Sequence, residues 1–168
     1  ILHVVHVYPP EGRTGAENYT ATLARLQADA GHAVAAYTRA HRPGTPLETE
    51  EEGVRVVRHP LPAHGRPSWR RDDHASRARL AALVDTFRPD VVHLQHLQFH
   101  DSLPPSDVPL VLTLHDGWLA CPAVKRIDVD GRRCERPAGA GCVACFWKGR
   151  RARLVPPSAA RLAAPLLA

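Results

Sequence analysis

The chain has no long apolar run. No stretch approaches the roughly 20 residues that a membrane-spanning helix needs, and none has the basic, apolar and small-residue order of a signal peptide. A cytoplasmic protein is therefore expected. Lysine is almost missing: only Lys125 and Lys148 occur, so arginine carries the formal charge of +5. Those arginines are dispersed rather than striped, and no nucleic-acid module is recognisable, so nucleic acid is not an expected partner. The positive charge favours phosphates or acidic lipid surfaces instead. The first loop, Gly12 to Glu17, lacks the G-x-G-x-x-G order of a dinucleotide fingerprint, and no Gly-Lys-Ser/Thr follows to make a P-loop. The chain also opens on Ile1, already strand-like, rather than on Met, which points to a trimmed or upstream start.

What is present is an ordinary globular composition, with 44% hydrophobic and 23% charged residues among 168, enough for one core and one domain over 1–168. Ile1 to Val7 is apolar and β-branched, as a strand buried on both faces should be. Pro9-Pro10 ends it. Ala16, Tyr19, Leu23, Leu26 and Ala30 then recur at helical spacing, and Gly31 suits a left-handed cap. His32 to Thr38 and Val54 to His59 read as strands, with an acidic, Pro/Gly-rich loop between them. Pro60 to Arg71 reads as irregular, followed by a helix from about Asp72 to Phe87, capped by Asp72 or Asp73. Asp90 to Leu94 and Leu110 to Leu114 read as further strands, and Ser158 to Ala168 as a helix still running where the sequence stops, as in a fragment. Alternating strands and helices predict a Rossmann-like, doubly wound parallel α/β sheet.

Ligands in such sheets bind outside the carboxyl ends of the strands, near the reversal of strand order. Three features fall there. Gly12, Gly15, Ala16 and Glu17 combine small residues with a helix N-terminus suited to an anion. His93, Gln95, His96 and His100 end the fourth predicted strand. Strict alternation separates His93 and Gln95 from His96, so the histidines need not converge on a metal, although one can line a cleft. His115-Asp116 ends the fifth, with Trp118 nearby. His115 can exchange hydrogen bonds near neutral pH, Asp116 can orient it or bind sugar hydroxyls, and Trp118 offers a flat apolar face.

The spacing Cys121-x12-Cys134-x7-Cys142-x2-Cys145 holds one C-x2-C knuckle within a cysteine-rich loop, 117–149. Four thiolates suit a structural zinc ion; an iron–sulfur cluster takes the same ligands, and two disulfides or free thiols are the alternatives. The expected form is a metal-stapled loop roofing a cleft.

Ile1-Leu2-His3-Val4-Val5, Pro9-Pro10, Gly15-Ala16-Glu17, Leu23-Ala24 and Gly31-His32-Ala33-Val34 together resemble the opening of the GT-B glycosyltransferases of family 4. Arg88-Pro89-Asp90-Val91-Val92-His93 and Leu112-Thr113-Leu114-His115-Asp116 resemble later motifs of that family in the same order. The resemblance implies an N-terminal, acceptor-side domain of a retaining enzyme without an essential catalytic metal. Its partners would be a nucleotide-diphosphate sugar, a glycan or lipid-linked acceptor, and a C-terminal donor-binding domain. It implies that Gly15 and its neighbours meet the donor diphosphate and that His115 contacts the transferred sugar. Thr14-Gly15-Ala16 stands where the family usually has two adjacent glycines. The family's E-x7-E motif would lie beyond residue 168, so the fragment alone is expected to be inactive. Some members carry a similar cysteine insertion after the same His-Asp. The basic stretches Arg66 to Arg71, with Trp69, and Lys148 to Arg153 would suit peripheral contact with acidic headgroups. The competing expectation is a non-catalytic, metal-stapled α/β domain for binding or assembly.

Overall fold

The computed structural model describes residues 1–61, 74–96, 107–117, 120–121, 126–128, 130–136, 139, 141–142 and 145. The chain divides into two compact units, Ile1–His115 and Asp116–Ala168. The first contains strands β1 (Leu2–Val5), β2 (Val34–Ala40), β3 (Glu48–Glu51), β4 (Val54–Pro60), β5 (Val92–His96) and β6 (Leu110–Leu112), with helices α1 (Gly15–Asp29) and α2 (His74–Phe87). They form one sheet in the order β3-β4-β2-β1-β5-β6. All neighbours except β3 and β4 pair in parallel. Taken alone, the parallel strands have the 3-2-1-4-5 order of a Rossmann-like sheet, and the reversal falls between β1 and β5.

The sheet is therefore mixed rather than wholly parallel. Glu52 (φ 50°) and Gly53 (φ 76°) connect β3 to β4, both left-handed as a two-residue type I′ hairpin requires. Glu48-Thr49-Glu50-Glu51 offers no apolar face, which is why the sequence reads as loop. At the sheet edge no such face is needed, and β4 supplies counter-charges: Arg55 lies 3.3 Å from Glu48 and Arg58 lies 2.6 Å from Glu51. A charged edge also resists pairing with another chain.

Both faces of the inner strands are buried. On one face α2 packs Leu80, Leu83 and Val84 against Leu2, Val4, Tyr37, Val92 and Leu94. On the other, α1 packs Ala24, with Ala21 and Ala28, against Val5, Ala36 and Val56. The period predicted for α1 holds, but its phase is off by one residue. Its buried positions are Glu17, Thr20 and Ala24, whereas Tyr19 and Leu26 are 46% and 52% exposed. One residue is a rotation of about 100° around a helix. Small Thr20 and Ala24 let α1 lie close to the sheet, while Glu17 and Gln27 find polar partners on β1 and just after it. Gly31 (φ 90°) closes the helix in the expected left-handed conformation.

β6 ends at Leu112, but Thr113 N–H still donates to the Leu94 carbonyl at 3.0 Å, so the pairing continues toward His115. The helix expected over 158–168, the caps at Asp72 and Asp73, His100, and the basic stretches 66–71 and 148–153 lie outside the described residues. Among the described residues no helix is long and apolar enough to cross a membrane.

Candidate functional site

The reversal of strand order places the carboxyl ends of β1 and β5 side by side, with α1 starting next to them. The loop leaving β1 is fixed from outside. The buried Arg58 donates to the Pro9 carbonyl at 3.0 Å, and Glu11 accepts from the backbone N–H groups of His41 and Arg42 at 3.0 and 2.9 Å. Burial pushes the Glu11 carboxyl up, but the Thr45 hydroxyl and these two amides outweigh it and hold it below the ordinary value. The loop is thus pre-shaped before any ligand arrives.

The two glycines of this loop differ in kind. A Cβ on Gly12 would sit 2.6 Å from Val7 Cγ1 and 3.2 Å from Glu17 Cγ, so Gly12 is there for close packing within the protein. A Cβ on Gly15 would meet nothing within 4 Å. Nothing in the fold requires Gly15 to lack a side chain, whereas a ligand approaching the first turn of α1 would.

Glu17, at N3 of α1, accepts from the Thr14 backbone N–H at 2.7 Å and from the Thr14 hydroxyl, closing the loop onto the helix start. Its other oxygen lies 2.9 Å from His6 Nε2. Burial raises the carboxyl, but Thr14 and His6 together keep it below its usual value. His6 itself is pushed down to about 4, first by burial and then by His96, against the pull of Glu17. A neutral His6 donating to ionised Glu17 satisfies both directions.

At the end of β5 the pairing with β1 slips: Val4 faces Leu94, but Val5 faces His96, leaving Gln95 as the extra residue. Such a bulge re-aims side chains at a sheet's functional edge. His93 and Gln95 share the α1 face with His3, as alternation predicts. The His3 and His93 rings lie 5.2 Å apart, and His93 Nε2 meets the Thr113 hydroxyl at 2.7 Å. His96 instead reaches the His6 ring at 4.5 Å.

His115 is held from two sides. Its Nε2 lies 3.0 Å from Gln95 Oε1, and the Tyr19 ring meets it edge-on at 5.1 Å. Behind it, Gln95 Nε2 contacts His3 Nδ1 at 3.1 Å and His3 Nε2 contacts Gln27 Oε1 at 2.7 Å. His3 and Gln95 are buried to within 1%, and burial pushes the His3 ring down to about 4 despite its bond to Gln27. Burial, then His115, also lowers His93. The result is a hydrogen-bonded chain, His115, Gln95, His3 and Gln27, built on the buried His3 ring.

The first unit thus brings together Gly12, Gly15, Ala16, Glu17, His96 and His115. Asp116 opens the second unit, and Trp118 lies outside the described residues. The sequence reading missed His3, His6, Tyr19 and Gln95. Gln95 left a signal in His93-Leu94-Gln95-His96, since alternation already puts it on the face of His93.

The expected metal staple is corrected. Among the described residues, which include all four cysteines, no three His, Cys, Asp or Glu side chains form a group that could hold a metal. Cys121, Cys134, Cys142 and Cys145 are free thiols. The backbone does not form the expected knuckle: residues 142 and 145 are helical. Cys134 lies beside a small hairpin in which Ile127 bridges Arg133 and Gly131 has φ 80°. Asp128 accepts there from the N–H groups of Asp130 and Arg132. The charge partner of Cys134 is Arg136, whose backbone and side chain draw the thiol below its usual value.

The fold is a Rossmann-like α/β unit in which the strand order reverses between β1 and β5. The chain belongs to glycosyltransferase family 4: the model of Glycosyltransferase Family 4 matches residues 13–158. No curated protein matches the chain.

Proposed function

We propose that this chain is the N-terminal, acceptor-side half of a retaining glycosyltransferase. The complete enzyme would move a sugar from a nucleotide-diphosphate donor to a glycan, lipid-linked or small-molecule acceptor. Family membership supports the class of activity. The observation that carries the site is His115, held by Gln95 and Tyr19 at the carboxyl edge of the sheet.

In this reading the imidazole of His115 contacts the transferred sugar close to the reacting centre. Gly15 and Ala16 leave room for the donor diphosphate at the start of α1, where backbone N–H groups and the helix dipole favour an anion. Gly12 and Glu17 shape that loop from within. Asp116 and Trp118 serve the sugar, Asp116 through hydroxyl groups and Trp118 through its apolar face. In this reading a C-terminal domain of the same protein would supply the donor-binding half with its paired glutamates.

The enzyme would work in the cytoplasm and touch membranes peripherally. The arginines of 66–71 and 148–153 would rest on acidic headgroups at about 1 kcal/mol per near-surface charge. Liposome sedimentation that is indifferent to anionic lipid would remove that contact. The central test is sugar transfer by the full-length protein. His115→Ala should lower kcat/KM about 10- to 100-fold, as loss of one hydrogen bond to a polarised group does. Unchanged transfer would sink the role given to His115.

A further inference from the structure

We propose that Gln95 is a positioning residue that fixes which ring nitrogen of His115 carries the proton, through a one-way hydrogen-bond relay running His115, Gln95, His3, Gln27. The value of the relay to catalysis rests on the sugar-contacting role proposed for His115; its existence does not.

A neutral imidazole has one N–H donor and one bare acceptor nitrogen, and a primary amide has a donor end and an acceptor end. Strung together, the four groups must all point the same way. Gln95 turns its Nε2 to His3 Nδ1 at 3.1 Å and its Oε1 to His115 Nε2 at 3.0 Å. An amide nitrogen can only donate, so His3 Nδ1 is the acceptor and the His3 proton sits on Nε2. That proton is donated to Gln27 Oε1 at 2.7 Å. At the other end Gln95 Oε1 can only accept, so His115 carries its proton on Nε2. In that tautomer Nδ1 is the ring's acceptor atom.

The bulge makes this possible. With even pairing Gln95 would stand opposite Val5; instead Val5 pairs with His96 and Gln95 is the extra residue. Burial holds the rest in place: Gln95 is 1% exposed and His3 fully buried, so neither can exchange its partner for water. The low affinity of His3 for a second proton, a consequence of that burial, keeps its Nδ1 an acceptor through the neutral range.

The test reads tautomers directly, on the full-length protein with 15N-labelled histidine, using long-range proton–nitrogen correlation spectra near neutral pH. His3 and His115 should both appear as Nε2–H forms. A His115 found as Nδ1–H would mean a relay running backwards, and would overturn the assignment. In Gln95→Leu, His115 should shift from one tautomer to a mixture while His3 keeps its own; an unchanged His115 would also overturn it. Gln27 lies half-buried on α1, where substitution spares the core. Gln27→Glu, which can only accept, should preserve both tautomers, whereas Gln27→Lys, which can only donate, should move His115 toward Nδ1–H. Identical His115 spectra in these two variants would refute the relay, since a purely structural glutamine would not send a signal through two residues. All four spectra are recorded without substrate. Failure of the relay is thus separate from failure of the sugar-contacting role, which the His115→Ala transfer assay decides.

Discussion

Two stretches of this chain are dense in residues that bind metals or protons, and the fold treats them oppositely. In the first unit His3 and His115, far apart in sequence, are joined through Gln95 by hydrogen bonds, and the His93 and His96 rings lie against His3 and His6. The cysteines of the second, closely spaced in sequence, remain four free thiols that form no metal-holding group. Proximity along the chain is thus a poor guide to convergence. Strand pairing brings His3 and Gln95 together across a separation of 92 residues, whereas among the described residues none of the thiols lies on a strand of the sheet.

The contrast can be broken first at its centre. His3→Ala would open a cavity and leave Gln27 and the buried Gln95 without their shared partner, costing about 3–5 kcal/mol in urea unfolding. A cost below about 1 kcal/mol would show that the array is not integral to the fold.

Acid should act on the same groups. His3 and His6 have folded values lowered to about 4 from 6.5. The unfolded chain therefore binds protons in that window while the native state does not. Stability is fully present above about pH 6.5 and falls as pH drops toward 4, by on the order of 3 kcal/mol from His3 alone. Melting temperatures measured from pH 7 to pH 4 would show this slope, and His3→Gln should flatten it. A flat profile in the parent protein would contradict neutral, buried rings.

The glycine pair offers a finer test at the edge of the array. Gly12→Ala forces a methyl to within 2.6 Å of Val7 and should cost about 1–3 kcal/mol. Gly15→Ala meets open space at the first position of α1 and should leave stability unchanged or raised by about 0.5 kcal/mol. If Gly15 admits a diphosphate, the same substitution should weaken donor use in the full-length enzyme. Equal destabilisation of the two variants would remove the distinction.

The smallest effects belong to the second unit. Cys142→Ser should change stability by no more than about 0.5 kcal/mol, and neither chelator nor added zinc should shift melting. All four cysteines should react with a thiol reagent in the unfolded protein without prior reduction. A zinc-dependent rise in melting temperature would overturn the contrast drawn between the two stretches.

Much of the first unit was legible beforehand. The apolar run at β1, the glycine after α1 and the prolines before β5 and β6 mark local backbone choices, and each marks a boundary observed within a few residues. Less legible were β3, which is charged because it lies on an edge, and the buried face of α1. The spacing of Tyr19 and Leu26 marks one face, yet the positions buried against the sheet are Thr20 and Ala24. Of the site, His115, His96 and the glycine loop could be named from their places at strand ends. Alternation puts Gln95 on the face of His93, but its partners His3 and His115 are set only by the pairing of distant strands.

The sequence by itself determined the alternation of strands and helices, the placing of polar motifs at strand ends and the family to which the chain belongs. These depend on side-chain periodicity, proline and glycine stereochemistry, and short-range order. Only the tertiary structure decided that Gln95 joins His3 to His115, and that the four cysteines form no metal-holding group. Convergence depends on register between distant strands, where one extra residue turns a side chain to a new partner, and no local pattern encodes that register.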